Sequence, residues 1–169
     1  MIDQEIAAYV DSVVATAAET SRFSGFFVGS TRKPVDDGPV LGPVRESSRL
    51  LAGSAVVGNV SQGIEIARMV DGRVDYVFVD AEKKIGSSQW SPGDAGNLER
   101  AVRETVLASR IVTYKANDLA VQAVDAFVSA LSAKFEKGVG GLVVGVIGLG
   151  NLGSKIALSL VERGANVRA

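Results

Sequence analysis

The 169 residues carry 18 Lys+Arg against 19 Asp+Glu, a formal net charge of −1, with 47 % hydrophobic residues, no Cys and no His. That composition is globular, offers no basic surface to nucleic acid or an anionic membrane, and excludes a disulfide framework. Without His or Cys there is no Ser–His or Cys–His nucleophile and no His-ligated metal, so no metal site is expected and proton transfer falls to Lys, Asp, Glu or Tyr.

The opening "MIDQEIAAYVDSVVATAAETSR" starts acidic and has neither a basic n-region nor an unbroken apolar run, so it is no targeting signal. No stretch reaches the ~18 consecutive apolar residues of a membrane span, and a cytoplasmic protein is expected. Ile6, Val10, Val13, Val14 and Ala17 recur at helical spacing and predict a helix over 3–20. "SGFFVGS" reads as a buried strand, and "TRKPVDDGPVLGP", with three of the four prolines, as an irregular loop. Pro43 in a first-turn position predicts a helix over 43–52, followed by a strand in "SAVVGNV". "SQGIEIARMVDG" is a helix with Ser61 as N-cap and Gly72 as its stop. "VDYVFVDA" is a third strand, "NLERAVRETVLAS" a helix capped by Asn97, and "RIVTYK" a fourth strand. A long helix is expected from about Asp118 to Lys137, ended by Gly138, Gly140 and Gly141, and then come "LVVGVIG", a glycine turn and a final helix. Strands apolar on both faces that alternate with helices predict an α/β fold, a mostly parallel sheet with flanking helices. A first domain over 1–138, with the linking helix about 118–137, is expected to precede a dinucleotide-binding unit over 139–169.

The strongest motif is Gly148-Leu149-Gly150-Asn151-Leu152-Gly153, with a strand before it, a helix after it and "ANVRA" opening a second strand. Gly148 permits the tight turn, Gly150 lets the backbone approach a pyrophosphate, and Gly153 lets the helix pack on the strand. The helix N-terminus, at Asn151 and Leu152, offers N–H groups to the phosphates. In that context the motif predicts the first βαβ unit of a Rossmann fold and NAD or NADP as cofactor. A complete domain takes about 100 or more further residues, so the chain reads as the N-terminal part of a larger protein. The acidic residue for the ribose would fall about 20 residues past the first glycines, at or beyond Ala169, which leaves NAD against NADP open.

An α/β domain joined to a Rossmann unit by one long helix resembles the amino-acid-dehydrogenase-like two-domain group. That group includes the shikimate, methylene-tetrahydrofolate and methylene-tetrahydromethanopterin dehydrogenases. The resemblance implies that "VDYVFVDAEKK" ends in the proton-transfer lysine, Lys83 or Lys84, and that "YKANDLAVQAVDAF" supplies Asn117 and the partner Asp118. The sequence departs from it in two places. Ala-Asn-Asp-Leu stands where the shikimate enzymes have Asn-Thr-Asp-Gly, and "GSTRKP" stands in place of their Ser-x-Ser-Pro loop.

Independently of the family, a buried Lys held by an Asp can move the proton that accompanies hydride transfer between a hydroxyl and a carbonyl. Ser30, Thr31 and Lys33 stand at the carboxyl end of the first strand, where open α/β sheets bind ligands, and Asn59 stands at another strand end. Hydroxyls and cations there suit a small polar, anionic substrate. The expected function is therefore an NAD(P)-dependent oxidoreductase, its substrate between the Lys83/Lys84 strand end and Asp118. A methylene-tetrahydropterin dehydrogenase and a non-catalytic small-molecule-binding or oligomerisation module are the alternatives. The apolar face of the last helix predicts a homo-oligomer.

Overall fold

The computed structural model describes residues 2–31, 38–82 and 97–169. Lys33, Lys83, Lys84 and Trp90 lie outside them. The chain divides into two compact units, Met1–Tyr114 and Lys115–Ala169.

The first unit is an α/β layer structure. It runs α1 (Ile2–Glu19), β1 (Phe23–Ser30), β2 (Val40–Leu41), β3 (Arg45–Glu46), β4 (Leu50–Val57), α2 (Val60–Val70), β5 (Tyr76–Asp80), α3 (Leu98–Thr105) and β6 (Arg110–Tyr114). The sheet order is β2-β4-β1-β5-β6, with β3 also on β4. β1 pairs parallel to β4 and β5, β5 pairs parallel to β6, and among the described strands only β2 and β3 run antiparallel. One set of alternating side chains makes the core: Phe26 and Val28, Ala55 and Val57, Val77 and Val79 pack with Ile6 and Val10 of α1, Ile66 and Val70 of α2, and Val102 of α3. The other set forms an aromatic row in which Phe27 stacks on Phe78, Tyr76 stacks on Phe78, and Tyr114 and Phe23 stand edge-on to Phe27 and Tyr76.

The helix expected over 43–52 is not formed. Those residues make β3, a turn and the start of β4, which begins four residues before the expected strand. Ser47 closes the turn, its N–H donating to the Leu50 carbonyl (2.8 Å) and its Oγ accepting from Leu50 N–H (3.1 Å). Full-length pairing of β4 with β1, from Phe23↔Leu50 to Ser30↔Val57, satisfies eight residues of backbone and overrides the local helix signal from Pro43. The α2 cap also differs: Asn59, not Ser61, is the N-cap, accepting from Gln62 N–H at 2.9 Å. Gly72 takes φ +73° just past the end of α2, as a stop residue should.

Two local features lead to predictions. Ser21 closes α1 at φ +53°, a region that costs a residue with a Cβ about 1 kcal/mol relative to glycine. Ser21→Gly should therefore stabilise the unit by only a few tenths of a kcal/mol after the added unfolded-chain entropy, measured by urea denaturation. Asp71 ties the α3–β6 connection down, accepting from Leu107, Ala108 and Ser109 N–H at 2.8–2.9 Å. Burial pushes the Asp71 carboxyl up, but the N–H groups of Ser109, Leu107, Ala108 and Gly72 outweigh it and hold it below its ordinary value. Its contribution is therefore complete above the ordinary carboxylate range near pH 4 and is lost as pH falls through the depressed native value. Asp71→Asn should cost about 1 kcal/mol at neutral pH, discounted for solvent exposure, and the difference from wild type should vanish in acid.

The second unit comprises α4 (Ala116–Ser132), a 3-10 turn (Gly138–Gly141), β7 (Val143–Gly145), α5 (Asn151–Glu162) and β8 (Asn166–Arg168). β7 and β8 pair in parallel around α5, a βαβ unit with Val139, Leu160 and Ala165 at its core. α4 starts two residues before, and ends five before, the expected bounds.

Candidate functional site

In the first unit the candidate residues gather where the parallel strands end. Ser30 closes β1, only 7 % exposed, and its Oγ is buried with no hydrogen-bond partner. Such a hydroxyl loses its hydration for nothing in return, which is uncommon in a folded core. Thr31 N–H donates to the Val57 carbonyl at 3.2 Å, tying the exit of β1 to that of β4. Asn59 is spent as the α2 cap, and Gln62 Oε1 accepts from Gly58 N–H at 2.9 Å, so these two side chains seal part of the helix end. Sequence reasoning missed Asp80 and Tyr114, which end β5 and β6 and are register partners. Asp80 is 2 % exposed and its Oδ1 accepts from Glu82 N–H at 2.9 Å. Burial, then the charges of Asp80 and Glu82, push the Tyr114 hydroxyl above its ordinary value, so it stays protonated throughout the neutral range. An acid closing the apolar run "VDYVFVDA" was the available signal for Asp80; Tyr114 had none.

The second unit holds the glycine turn. Gly148 takes φ +93°, open to glycine and strained for other residues. Gly150 is the N-cap of α5, in extended backbone with no side-chain cap, and a Cβ there would meet nothing within 4 Å. A Cβ on Gly153 would lie 1.9 Å from the Gly148 carbonyl oxygen, so the helix packs directly against the turn. Ser154 locks the loop, its N–H donating to the Gly150 carbonyl and its Oγ to the Leu149 carbonyl, both at 2.9 Å. Asn151 and Leu152 form the first turn of α5. Gly148 and Gly153 thus have the backbone roles expected from their spacing, and Gly150 leaves the approach to the α5 N-terminus clear.

Asp118, in the first turn of α4, does not stand free. Lys155 Nζ of α5 donates to its Oδ1 at 2.6 Å. That ammonium contact is the main cause holding the Asp118 carboxyl below its ordinary value; burial opposes it, and the charges of Lys155 and Lys115 add to it. Asp125, seven residues on, accepts from Ser159 Oγ at 3.1 Å and from Arg163, so a polar ladder fastens α4 to α5. α4 starts at Ala116 behind Lys115, so Asn117 lies in its first turn. Lys155 was not foreseen, because 37 residues separate it from Asp118.

No protein-family model, no curated protein and no solved structure matches the chain. Among the described residues, no helix is long and apolar enough to cross a membrane.

Proposed function

We propose that the second unit binds the diphosphate of NAD or NADP and that the chain belongs to a cytoplasmic NAD(P)-dependent oxidoreductase. The observation that carries this reading is the glycine turn: Gly153 closed on the Gly148 carbonyl, Gly150 open, and the α5 N-terminus uncapped. Gly148, Gly150 and Gly153 would hold the backbone against the phosphates, and the first N–H groups of α5, at Asn151 and Leu152, would donate to them. The dinucleotide, when bound, supplies the hydride acceptor or donor. Val143 and Ile147, exposed beside the two-stranded β7–β8 sheet, support a unit that belongs to a wider sheet. Exposed Leu158 and Val161 on α5 support homo-oligomerisation.

The substrate in this reading is a small polar, anionic molecule met by the carboxyl ends of β1 and β4. The unpartnered Ser30 hydroxyl is the observation that favours that end. Lys83 or Lys84 would carry the proton. Calorimetric titration of the intact chain with NAD, NADH, NADP and NADPH is the test. Saturable binding of at least one is expected, and no heat from any of them at millimolar concentration removes the reading. In a protein with measurable turnover, Lys83→Met or Lys84→Met should lower kcat about 100-fold or more with cofactor affinity unchanged.

A further inference from the structure

The second unit contains a cleft of about 400 Å³ lined by Ser129, Ser132, Lys137, Gly138, Val139, Gly140 and Arg163. Six of its seven lining residues precede β7 in the chain, and Arg163 follows α5, whereas the glycine turn leaves β7. Its volume falls within the usual range of small-ligand sites, about 300–1,000 Å³. No carboxylate lines it, while two cations do.

Arg163 is partly engaged, donating from one terminal nitrogen to Asp125, which leaves further guanidinium N–H groups unspent. Lys137 is exposed, and no ion pair involving it occurs among the described residues. The Ser129 Oγ is buried without a partner, a hydroxyl rotor free to turn toward a ligand. Ser132 donates to the Ser129 carbonyl at 3.1 Å and keeps its lone pairs.

Both helices end near this cleft, and their carbonyl ends would oppose an anion if left bare. They are not bare. Ala133 and Phe135 N–H cover the Ala130 and Ser132 carbonyls at the end of α4, and Arg163, Gly164 and Ala165 N–H close that of α5. The unsatisfied carbonyls that carry a helix dipole's negative end are therefore largely covered, and the side-chain cations set the local sign.

We infer that this cleft is a binding site for a small oxyanion, phosphate or the phosphate group of a small monoester, held by Lys137, Arg163 and Ser129. Gly138 and Gly140 keep its wall free of side chains. The site is distinct from the dinucleotide reading and does not depend on it.

The test is an amide-resolved NMR titration of the intact chain with inorganic phosphate and with glycerol phosphate, each against sodium chloride at matched ionic strength. Saturable shifts centred on Gly138, Val139 and Gly140 are expected, persisting in Gly150→Glu. Tighter binding of glycerol phosphate would mark an organic monoester as the ligand, and tighter binding of phosphate the free ion. Lys137→Ala, at an exposed position, should weaken binding about tenfold with the thermal midpoint unchanged, and Ser129→Ala should weaken it several-fold. Shifts equal to those in sodium chloride, shifts confined to 148–153, or unaltered affinity in both variants would overturn the assignment.

Discussion

Gly153→Ala should destabilise the second unit by about 3 kcal/mol and abolish dinucleotide binding with it. The added Cβ would stand 1.9 Å from the Gly148 carbonyl oxygen and 3.1 Å from its carbon, and both are backbone. A flexible side chain could swing aside, but this carbonyl belongs to a glycine at φ +93° and moves only if the turn reopens. Ser154 also grips that turn through the Gly150 and Leu149 carbonyls. The loss should therefore be concentrated in α5 and β8, with the first unit unaffected. Hydrogen exchange resolves this: the protection of α5 amides should fall while that of β1 and β4 is kept. Wild-type protection of α5 in the variant would mean that the helix does not pack on the turn as described.

Gly150→Glu should do the opposite, leaving stability within about 0.5 kcal/mol and weakening dinucleotide binding about 100-fold or more. At this N-cap φ is −68° and ψ is −175°, extended backbone that any residue adopts, and the Cβ direction is empty. The carboxylate would sit at the positive end of α5, where it is favoured, and would occupy the place proposed for the phosphates with a like charge. Gly150→Ala, which adds bulk without charge, should lose less. Calorimetry with the tighter-binding dinucleotide and a urea melt on the same samples separate the two effects. Unchanged affinity in Gly150→Glu would remove the diphosphate from this turn, whatever Gly153→Ala does. The two glycines are three residues apart, yet Gly153 bears on the fold and Gly150 on the proposed ligand.

The sequence by itself determined much of what depends on neighbours within a few residues. The 3.6-residue rhythm of Ile6, Val10, Val13 and Ala17 was enough for α1, and all four are buried. Asn97 capped α3 as expected, accepting from Arg100 N–H at 3.0 Å, and Gly148 and Gly153 foretold their backbone roles by spacing alone. The alternation of strands and helices was enough for a mostly parallel α/β sheet.

Tertiary structure decided the rest. Residues 50–53 join the expected strand because β1 lies beside them, a partner more than twenty positions earlier in the chain that no local propensity reports. Asp118 meets Lys155, and Asp125 meets Ser159 and Arg163, because α4 and α5 pack together; the sequence marks the charges but not who neutralises them. Ser30 was legible as a hydroxyl at a strand end, but its burial without a partner belongs to the packed sheet. The same holds for Asp80 and Tyr114, which become neighbours only through the parallel register of β5 and β6. Backbone geometry is written in short-range sterics, whereas pairing, burial and charge environment are set by which distant segments the fold brings into contact.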